Sequence, residues 1–249
     1  MSFEKEAKER INALGRNEQL KSSAHNFLEA SLVPKYSYNF SWLGRPIIQY
    51  PQDVLAMQEI IWEVKPDLII ETGIAHGGSL VFFAAMLELV AVCTGSEGCV
   101  LGIDIDIRPH NRRAIEEHPM FKRISMIQGS STAPEIVAQV IEKTKGKQRI
   151  LVCLDSNHTH AHVLSELEAY APLVSVGSYC VVMDTLIEDM PEGSYPDRPW
   201  GKGDNPKTAV WKWLENHPEF EIDQGVQNKL LITVATDGYL KRVCPTNAT

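Results

Sequence analysis

The chain has 249 residues, 44% hydrophobic and 22% charged, which is the composition of a globular protein and excludes disordered, collagenous and repeat-dominated chains. This length is too great for a peptide-sized scaffold and too small for two ordinary enzyme domains, so we expect one core with small additions. Twenty-four Lys and Arg against 32 Asp and Glu give a formal charge of -8 without a basic cluster, which argues against a nucleic-acid partner.

The cysteines and the N-terminus indicate a cytoplasmic protein. The five cysteines are odd in number and form no C-x-x-C pair, which fits neither a zinc ribbon nor a secreted disulfide framework. Charged residues occupy positions 4–10, where a signal peptide would need its apolar core. The longest apolar stretch, residues 80–93, is interrupted by Glu88 and is shorter than the roughly 20 residues of a membrane-spanning helix. We therefore expect no membrane span.

In chain order, residues 1–64 are predicted to form an N-terminal helical cap, because periodic apolar residues flank a proline- and aromatic-rich stretch from 34 to 51. Residues 65–249 then alternate short β-branched runs with longer helical patterns, which predicts a Rossmann-like, doubly wound α/β sheet. The predicted strands are 67–71, 100–104, 124–128, 150–155 and 179–184, and the predicted helices begin near Gly78, Pro109, Pro134, His160 and Pro206. A last strand over 229–235 is expected to join this mostly parallel sheet as an antiparallel edge.

One long segment, residues 185–205, has no predicted secondary structure. It contains three glycines and three prolines and follows directly on the carboxyl end of a predicted strand. Structureless loops of this length in compact domains are usually lids or disordered segments. We favour a lid over the cleft and call this stretch the lid segment.

Four of the predicted strands end in an acidic residue. These residues are Glu71, Asp104, Asp155 and Asp184. Ligands of open α/β sheets bind beyond the carboxyl ends of the strands, so the four side chains are expected along one cleft.

A glycine-rich run, Glu71-Thr-Gly73-Ile-Ala-His-Gly77-Gly78-Ser79, lies between the first of these strands and the next helix. Glycine lets the backbone approach a ligand closely, and a helix N-terminus supplies free N–H donors. The spacing is neither G-x-G-x-x-G nor a P-loop, and it matches the E/D-x-G-x-x-x-G pattern of S-adenosylmethionine enzymes. The alternative is a strand-to-helix turn that merely packs tightly.

Two further positions would complete a nucleoside pocket. Asp104, at the end of the second strand, is placed to bind ribose hydroxyls, with Asp106 as the alternative. Ser130 follows the third strand, where the edge of an adenine ring would be contacted. The competing interpretation is that Ser130 and Ser131 cap the helix that begins near Pro134.

The run Asp155-Ser-Asn-His158-Thr-His160-Ala-His162, together with Asp184, predicts a cation site. Two carboxylates at the ends of neighbouring strands can hold a hard divalent cation such as Mg²⁺, and His158 beside them is the natural proton acceptor. His160 and His162 are expected only to cap and solvate the following helix. A zinc site made by His158 and His162 would lack the H-E-x-x-H context.

The glycine-rich run and the run from Asp155, with Val181-Val-Met-Asp184-Thr185, resemble the cephalosporin hydroxylase family over about residues 35 to 240. Despite its name, that family has methyltransferase-like folds and is similar to magnesium-dependent O-methyltransferases that act on sugars and natural products. The resemblance implies a class I methyltransferase fold with metal ligands Asp155 and Asp184. With the motifs, it predicts a set of S-adenosylmethionine contacts: Glu71, Gly73, Gly77, Gly78, Ser79, Asp104, Ser130 and Asp155. In one departure, Met183 stands where relatives tend to have an acid.

The leading hypothesis is therefore metal-assisted methyl transfer from S-adenosylmethionine to a hydroxyl of a sugar or natural product, with Asp155 and His158 as catalytic residues. A non-haem iron hydroxylase would need two His and one carboxylate, and the H-x-D/E match is His217-Pro-Glu219, after a helix. A non-catalytic S-adenosylmethionine-binding partner protein is the third reading, which Met183 leaves open. The sequence leaves the small-molecule or glycan acceptor unidentified and a homo-oligomer open.

Overall fold

The computed structural model describes residues 2–245, and its centre is a seven-stranded sheet of order β5-β4-β3-β6-β7-β9-β8. The first five strands in that order run parallel to one another, and β9 pairs antiparallel with both β7 and β8. The strands are β3 (Leu68–Thr72), β4 (Cys99–Asp104), β5 (Ile124–Gln128), β6 (Ile150–Leu154), β7 (Tyr179–Val182), β8 (Phe220–Ile222) and β9 (Tyr239–Arg242).

The chain reverses its winding direction between β3 and β6, which pair in parallel register. From β3 it continues outward to β4 and β5, and it then returns to place β6 on the other side of β3. In doubly wound sheets this switch point opens a crevice at the carboxyl ends of the two strands. The loops after β3 and β6 therefore lie side by side at that crevice.

Helices cover both faces of the sheet, which explains why the central strands are apolar in nearly every position. Ile69 packs against helices on one face of the sheet, whereas Leu68 and Ile70 pack against helices on the other face. The helices of this region are α4 (Gly78–Thr94), α5 (Pro109–Glu116), α6 (Pro134–Thr144), α7 (His160–Tyr170), α8 (Pro206–Leu214) and α9 (Gln224–Leu230). The first residues of α4 to α8 confirm the five predicted helix starts, whereas α9 was not predicted. Within residues 2–245, no helix is long and apolar enough to cross a membrane.

The N-terminal region contains the expected helices and a hairpin that was not predicted. The helices are α1 (Phe3–Leu14), α2 (Glu18–Leu32) and α3 (Pro51–Val64), and the hairpin consists of β1 (Phe40–Trp42) and β2 (Arg45–Ile47). Trp42 packs edge-on against Phe82 of α4, with ring centroids 4.9 Å apart. The hairpin thus lies against the helix that follows β3. The proposed division of the chain at residue 64 stays a prediction.

The predicted strand over 229–235 is wrong. Residues up to Leu230 belong to α9, and Leu231 has a positive φ of 59°, which ends the helix and excludes an extended run. Thr233 and Val234 instead donate hydrogen bonds to the buried carboxylate of Asp53 in α3. The antiparallel addition to the sheet is made by β9 and β8, which are only four and three residues long.

The lid segment is ordered at its start. Residues Thr185–Asp189 form a 3-10 helix whose first three side chains are buried. At its end, Asn205 caps α8 and also donates from its side chain to the carbonyl oxygen of Gly201 at 2.9 Å. Between these anchors most side chains are exposed. A lid function stays a prediction.

Candidate active site

A cavity of about 950 Å³ lies at the carboxyl ends of β3, β6 and β7. Its walls come from residues 46–50, from the loop after β3, from the loops after β6 and β7, and from residues 194–200 of the lid segment. Strand β6 ends at Leu154 and β7 at Val182, so Asp155 and Asp184 are loop residues just beyond their strands. The cavity is where the sheet topology predicts a ligand.

The loop of residues 73–78, here called the glycine loop, is glycine-rich for steric reasons that the structure makes explicit. Gly73 has a φ of 91°, and a Cβ there would lie 1.9 Å from the carbonyl oxygen of Asp155. A Cβ at Gly78 would lie 2.1 Å from the carbonyl oxygen of Pro46 in β2. The glycines thus permit close packing of the backbone, and Gly73, Gly78 and Ser79 also line the cavity.

Asp104 is turned toward the glycine loop. Its Oδ2 accepts hydrogen bonds from the backbone N–H groups of Ile74 (2.8 Å) and Ala75 (3.2 Å), and its Oδ1 accepts from that of Asp106 (2.9 Å). Asp104 does not line the large cavity, and neither do Ser130 and Gly77. Gly77, with a φ of 80°, begins α4 as its N-cap. Contacts from these three residues to a cofactor stay predictions.

The serines after β5 do not cap the next helix, so that alternative is wrong. The N-cap of α6 is Ala133, which has no side-chain capping bond. Ser130 Oγ instead pairs with Thr132 Oγ1 at 3.1 Å, and Ser131 Oγ pairs with His162 Nε2 at 3.1 Å. Both side chains thus stabilise the loop between β5 and α6.

Glu71 lies beneath the glycine loop and is fully buried. The Ser79 side chain in α4 interacts with this carboxyl and favours its charged form, without reaching full hydrogen-bond geometry. Burial raises the pKa of this carboxyl to about 8. Because buried polar groups are nearly always fully paired, this carboxyl has capacity for a further hydrogen bond from a bound ligand or an ordered water.

Asp155, His158 and Asp184 form a group whose ligand atoms all lie within 4.8 Å of one another. His158 Nε2 is 3.2 Å from Asp184 Oδ2. Burial, and next the negative charge of Asp184, raise the pKa of Asp155 well above its ordinary value. Two carboxylates that repel each other beside an imidazole fit a divalent cation, which would offset the repulsion. Among the residues described, this set is the group found suitable for a metal.

The backbone at Asp184 is also unusual. Its φ of 56° and ψ of 20° are left-handed, and the residue turns the chain from β7 into the 3-10 helix of the lid segment. Met183, just before it, is buried, with 1% of its surface exposed, and packs in the core cluster on the α4 side of the sheet. His158 therefore occupies the third corner of the group, in the absence of an acid at position 183.

The other two histidines of the run that begins at Asp155 have structural partners. His160 donates its backbone N–H to Asp204 (2.7 Å), and its ring pairs with Thr208 (2.8 Å). His162 Nε2 lies 3.1 Å from Ser156 Oγ and 3.4 Å from the buried Glu166. His162 is not part of the group suited to a metal, so the zinc alternative lacks its second ligand.

The residues invoked for an iron hydroxylase lie elsewhere. His217 stacks on Trp213 with ring centroids 3.9 Å apart, and its Nδ1 is 3.2 Å from Glu219. Neither His217 nor Glu219 lines the large cavity. These residues stabilise the turn between α8 and β8.

Several cavity residues had no readable signal in the sequence. Trp200 of the lid segment meets the His158 ring edge-on at 4.9 Å, and Arg198 lies 5.2 Å from the Trp200 ring centroid. Gln49 and Tyr50, in the segment between β2 and α3, also line the cavity. The tryptophan among the glycines and prolines of the lid segment was the one available hint, since such a loop rarely needs a large aromatic side chain.

Comparisons with known proteins agree with this geometry. The sequence model of the family described as Rhamnosyl O-methyltransferase/CmcI matches residues 34–243. The chain is 32% identical over 205 residues to the rhamnosyl O-methyltransferase of Mycobacterium leprae (strain TN), covering 81% of this chain and 82% of that protein. It is 33% identical over 192 residues to that of Mycobacterium tuberculosis (strain ATCC 25618 / H37Rv), covering 76% and 73%.

Solved structures support the same fold. The apo structure of CmcI-N160 superimposes with a TM-score of 0.60 at 20% identity, covering 83% of this chain and 77% of that chain. The structure titled cmcI-D160 Mg-SAM gives 0.57 at 20% identity, covering 83% and 78%. The expected class I methyltransferase fold and the resemblance based on the motifs are thus confirmed. The chain belongs to the rhamnosyl O-methyltransferase/CmcI family.

Proposed function

We propose that this protein is an S-adenosylmethionine-dependent O-methyltransferase that methylates a hydroxyl of a sugar, with Asp155, His158 and Asp184 at the reacting centre. The observation that carries the proposal is the direct contact between two loops. The glycine loop meets the carbonyl oxygen of Asp155 at Gly73, so the nucleoside side of the crevice adjoins the group suited to a metal. Family membership supports the reaction class.

The residues present fit S-adenosylmethionine. Gly73, Gly78 and Ser79 line the cavity, and α4 begins at Gly78, where the N-terminus of a helix offers free N–H donors. Gln49 offers an amide without a hydrogen-bond partner among the described residues. Asp104 holds the amides of the glycine loop and thereby fixes its shape. We propose Glu71, Gly73, Gly77, Gly78, Ser79, Asp104, Ser130 and Asp155 as its binding residues.

The residues also fit magnesium, which prefers oxygen ligands and tolerates bound waters. We propose Asp155 and Asp184 as its ligands. When bound, a divalent cation supplies the positive charge that makes an acceptor hydroxyl more acidic. His158 is then the side chain that accepts the hydroxyl proton on a ring nitrogen. Asp184, 3.2 Å from Nε2, compensates the positive charge that the ring gains.

The remaining chemistry is positioning. Methyl transfer needs the acceptor oxygen in line with the methyl carbon, and walls that exclude water favour that arrangement. Trp200 packs against the His158 ring and restricts its orientation. We propose that the lid segment and residues 46–50 together enclose the acceptor, since both line the cavity.

The test measures transfer of a radiolabelled methyl group from S-adenosylmethionine to a panel of rhamnosides and nucleotide sugars. Chelation should abolish transfer, and Mg²⁺ should restore it. Asp155→Asn and Asp184→Asn should lose Mg²⁺ binding in calorimetry and most activity, because each removes a charged ligand. Full activity after chelation would refute the metal role.

His158→Ala separates two roles for the imidazole. A base is needed for proton transfer only, so the variant should still bind Mg²⁺ and should turn over about 100-fold more slowly. His160→Ala is the matched control, because that ring pairs with Thr208 outside the group. Loss of Mg²⁺ binding in His158→Ala would make His158 a ligand.

Location and assembly are also proposals. All five cysteines are free, which supports a reducing cytoplasm for this enzyme. We retain a homo-oligomer as a hypothesis that light scattering of the purified protein would test.

A further inference from the structure

Gln49 is a buried polar side chain of the cavity wall to which the proposed reaction gives no role. It lies between β2 and α3, lines the cavity, and has only 4% of its surface exposed. Neither its amide nitrogen nor its amide oxygen has a hydrogen-bond partner within the described residues. A buried amide without partners is costly, and native proteins keep such a group where a ligand satisfies it.

The position of Gln49 relates it to the glycine loop. Two backbone atoms of the same segment, Pro46 O and Ile47 Cα, lie 2.1 and 2.7 Å from where a Cβ of Gly78 would be. The segment therefore crosses directly over the start of α4. The next residue, Tyr50, is engaged elsewhere, since its hydroxyl pairs with Ser31 at 2.5 Å in the cluster that contains Leu186.

We propose that Gln49 binds the amino-acid end of S-adenosylmethionine, with its amide nitrogen donating to the carboxylate and its amide oxygen accepting from the ammonium group. The inference rests on the proposed function. A zwitterion presents an acceptor and a donor side by side, and a primary amide offers the complementary pair. The segment over Gly78 places this amide at the glycine loop, the part of the cavity that the cofactor would occupy.

The experiment compares two ligands that differ only at this end. S-adenosylhomocysteine has the amino-acid group, whereas methylthioadenosine has the same nucleoside and thioether without it. The variant Gln49→Met keeps the length of the side chain and removes the amide. In calorimetric titrations we expect Gln49→Met to bind S-adenosylhomocysteine at least about tenfold more weakly, as for a lost hydrogen bond to a charged group. Its affinity for methylthioadenosine should be unchanged.

Gln52→Met is the matched control, because Gln52 lies three residues further on, in the first turn of α3, and does not line the cavity. It should bind both ligands like the wild type. Equal weakening of both ligands by Gln49→Met would overturn the inference and indicate a structural role. Unchanged S-adenosylhomocysteine binding with a raised KM for the sugar would overturn it in favour of an acceptor contact. If the wild type bound neither ligand, the proposed function itself would fail.

Discussion

Asp53 in α3 should make the stability of the fold depend on pH. It is fully buried, and its carboxylate accepts hydrogen bonds from the hydroxyls of Thr233 and Tyr239 and from the backbone N–H of Val234. Burial outweighs these bonds and raises the pKa of Asp53 from 3.8 to about 6. Between these two values the folded protein holds a proton that the unfolded chain releases.

The sign follows from linkage. Below about pH 4 the carboxyl is protonated in both the folded and the unfolded state, so Asp53 does not lower the free energy of unfolding. Between about pH 4 and about 6 the unfolded chain releases this proton while the folded state keeps it, so the free energy of unfolding falls, and it levels off above about 6. The difference between 3.8 and about 6 corresponds to about 3 kcal/mol, at about 1.4 kcal/mol for each tenfold change.

Urea unfolding of the wild type and Asp53→Asn, followed by tryptophan fluorescence between about pH 4 and pH 7.5, measures this effect. The amide keeps one acceptor for Val234, and its NH₂ faces two hydroxyls that can accept. The unfolding free energy of the variant, relative to the wild type, should rise by about 3 kcal/mol across this range. Glu221→Gln, which removes an exposed carboxyl in β8, is the control and should not change the slope. Parallel profiles for Asp53→Asn and the wild type would refute the argument.

Three further predictions concern the loops around the cavity. Gly73→Ala combines a φ of 91° with a backbone clash and should lower the unfolding free energy by about 2–5 kcal/mol. Gly193→Ala is the control, because Gly193 has a φ of 82° but open space around it, and it should lower the unfolding free energy by only about 1–2 kcal/mol. Equal losses in the two variants would contradict the contact between Gly73 and Asp155. Proteolysis within residues 191–204 should slow when S-adenosylhomocysteine and a sugar acceptor are both bound, and an unchanged rate would argue against a lid. His162→Ala should lower the unfolding free energy by about 1–3 kcal/mol, because Ser131 and Ser156 lose its ring, yet it should retain Mg²⁺ affinity; loss of that affinity would reinstate His162 as a ligand.

The parallel part of the sheet could be predicted because each of its strands carries its own signal. Strands covered on both faces are apolar throughout, and the helices between them begin at Gly78, Pro109, Pro134 and His160. The acids after β6 and β7 could be assigned to one crevice for the same reason, since parallel strands bring their carboxyl ends to one edge. Asp155, His158 and Asp184 do converge.

The antiparallel edge could not be predicted, because its pattern competes with a stronger one. Residues 229–235 are more apolar than β9, yet they bend at Leu231 to bring Thr233 and Val234 to the Asp53 carboxylate. That partner is about 180 residues away in sequence, so no local pattern reveals it. Gln49 escaped notice for a similar reason, since only the packing of the hairpin on Gly78 places it in the cavity wall.

The left-handed backbone at Asp184 bears on how this site could change in evolution. A left-handed conformation costs most L-residues about 1–2 kcal/mol, and the short polar side chains of Asp and Asn tolerate it best. Replacement by Glu would keep the negative charge, but it would carry the backbone penalty and move the carboxylate outward. Replacement by Asn would keep the turn and remove the charge. A single amide substitution is therefore the easiest path by which a descendant of this protein could lose the proposed cation site and still fold.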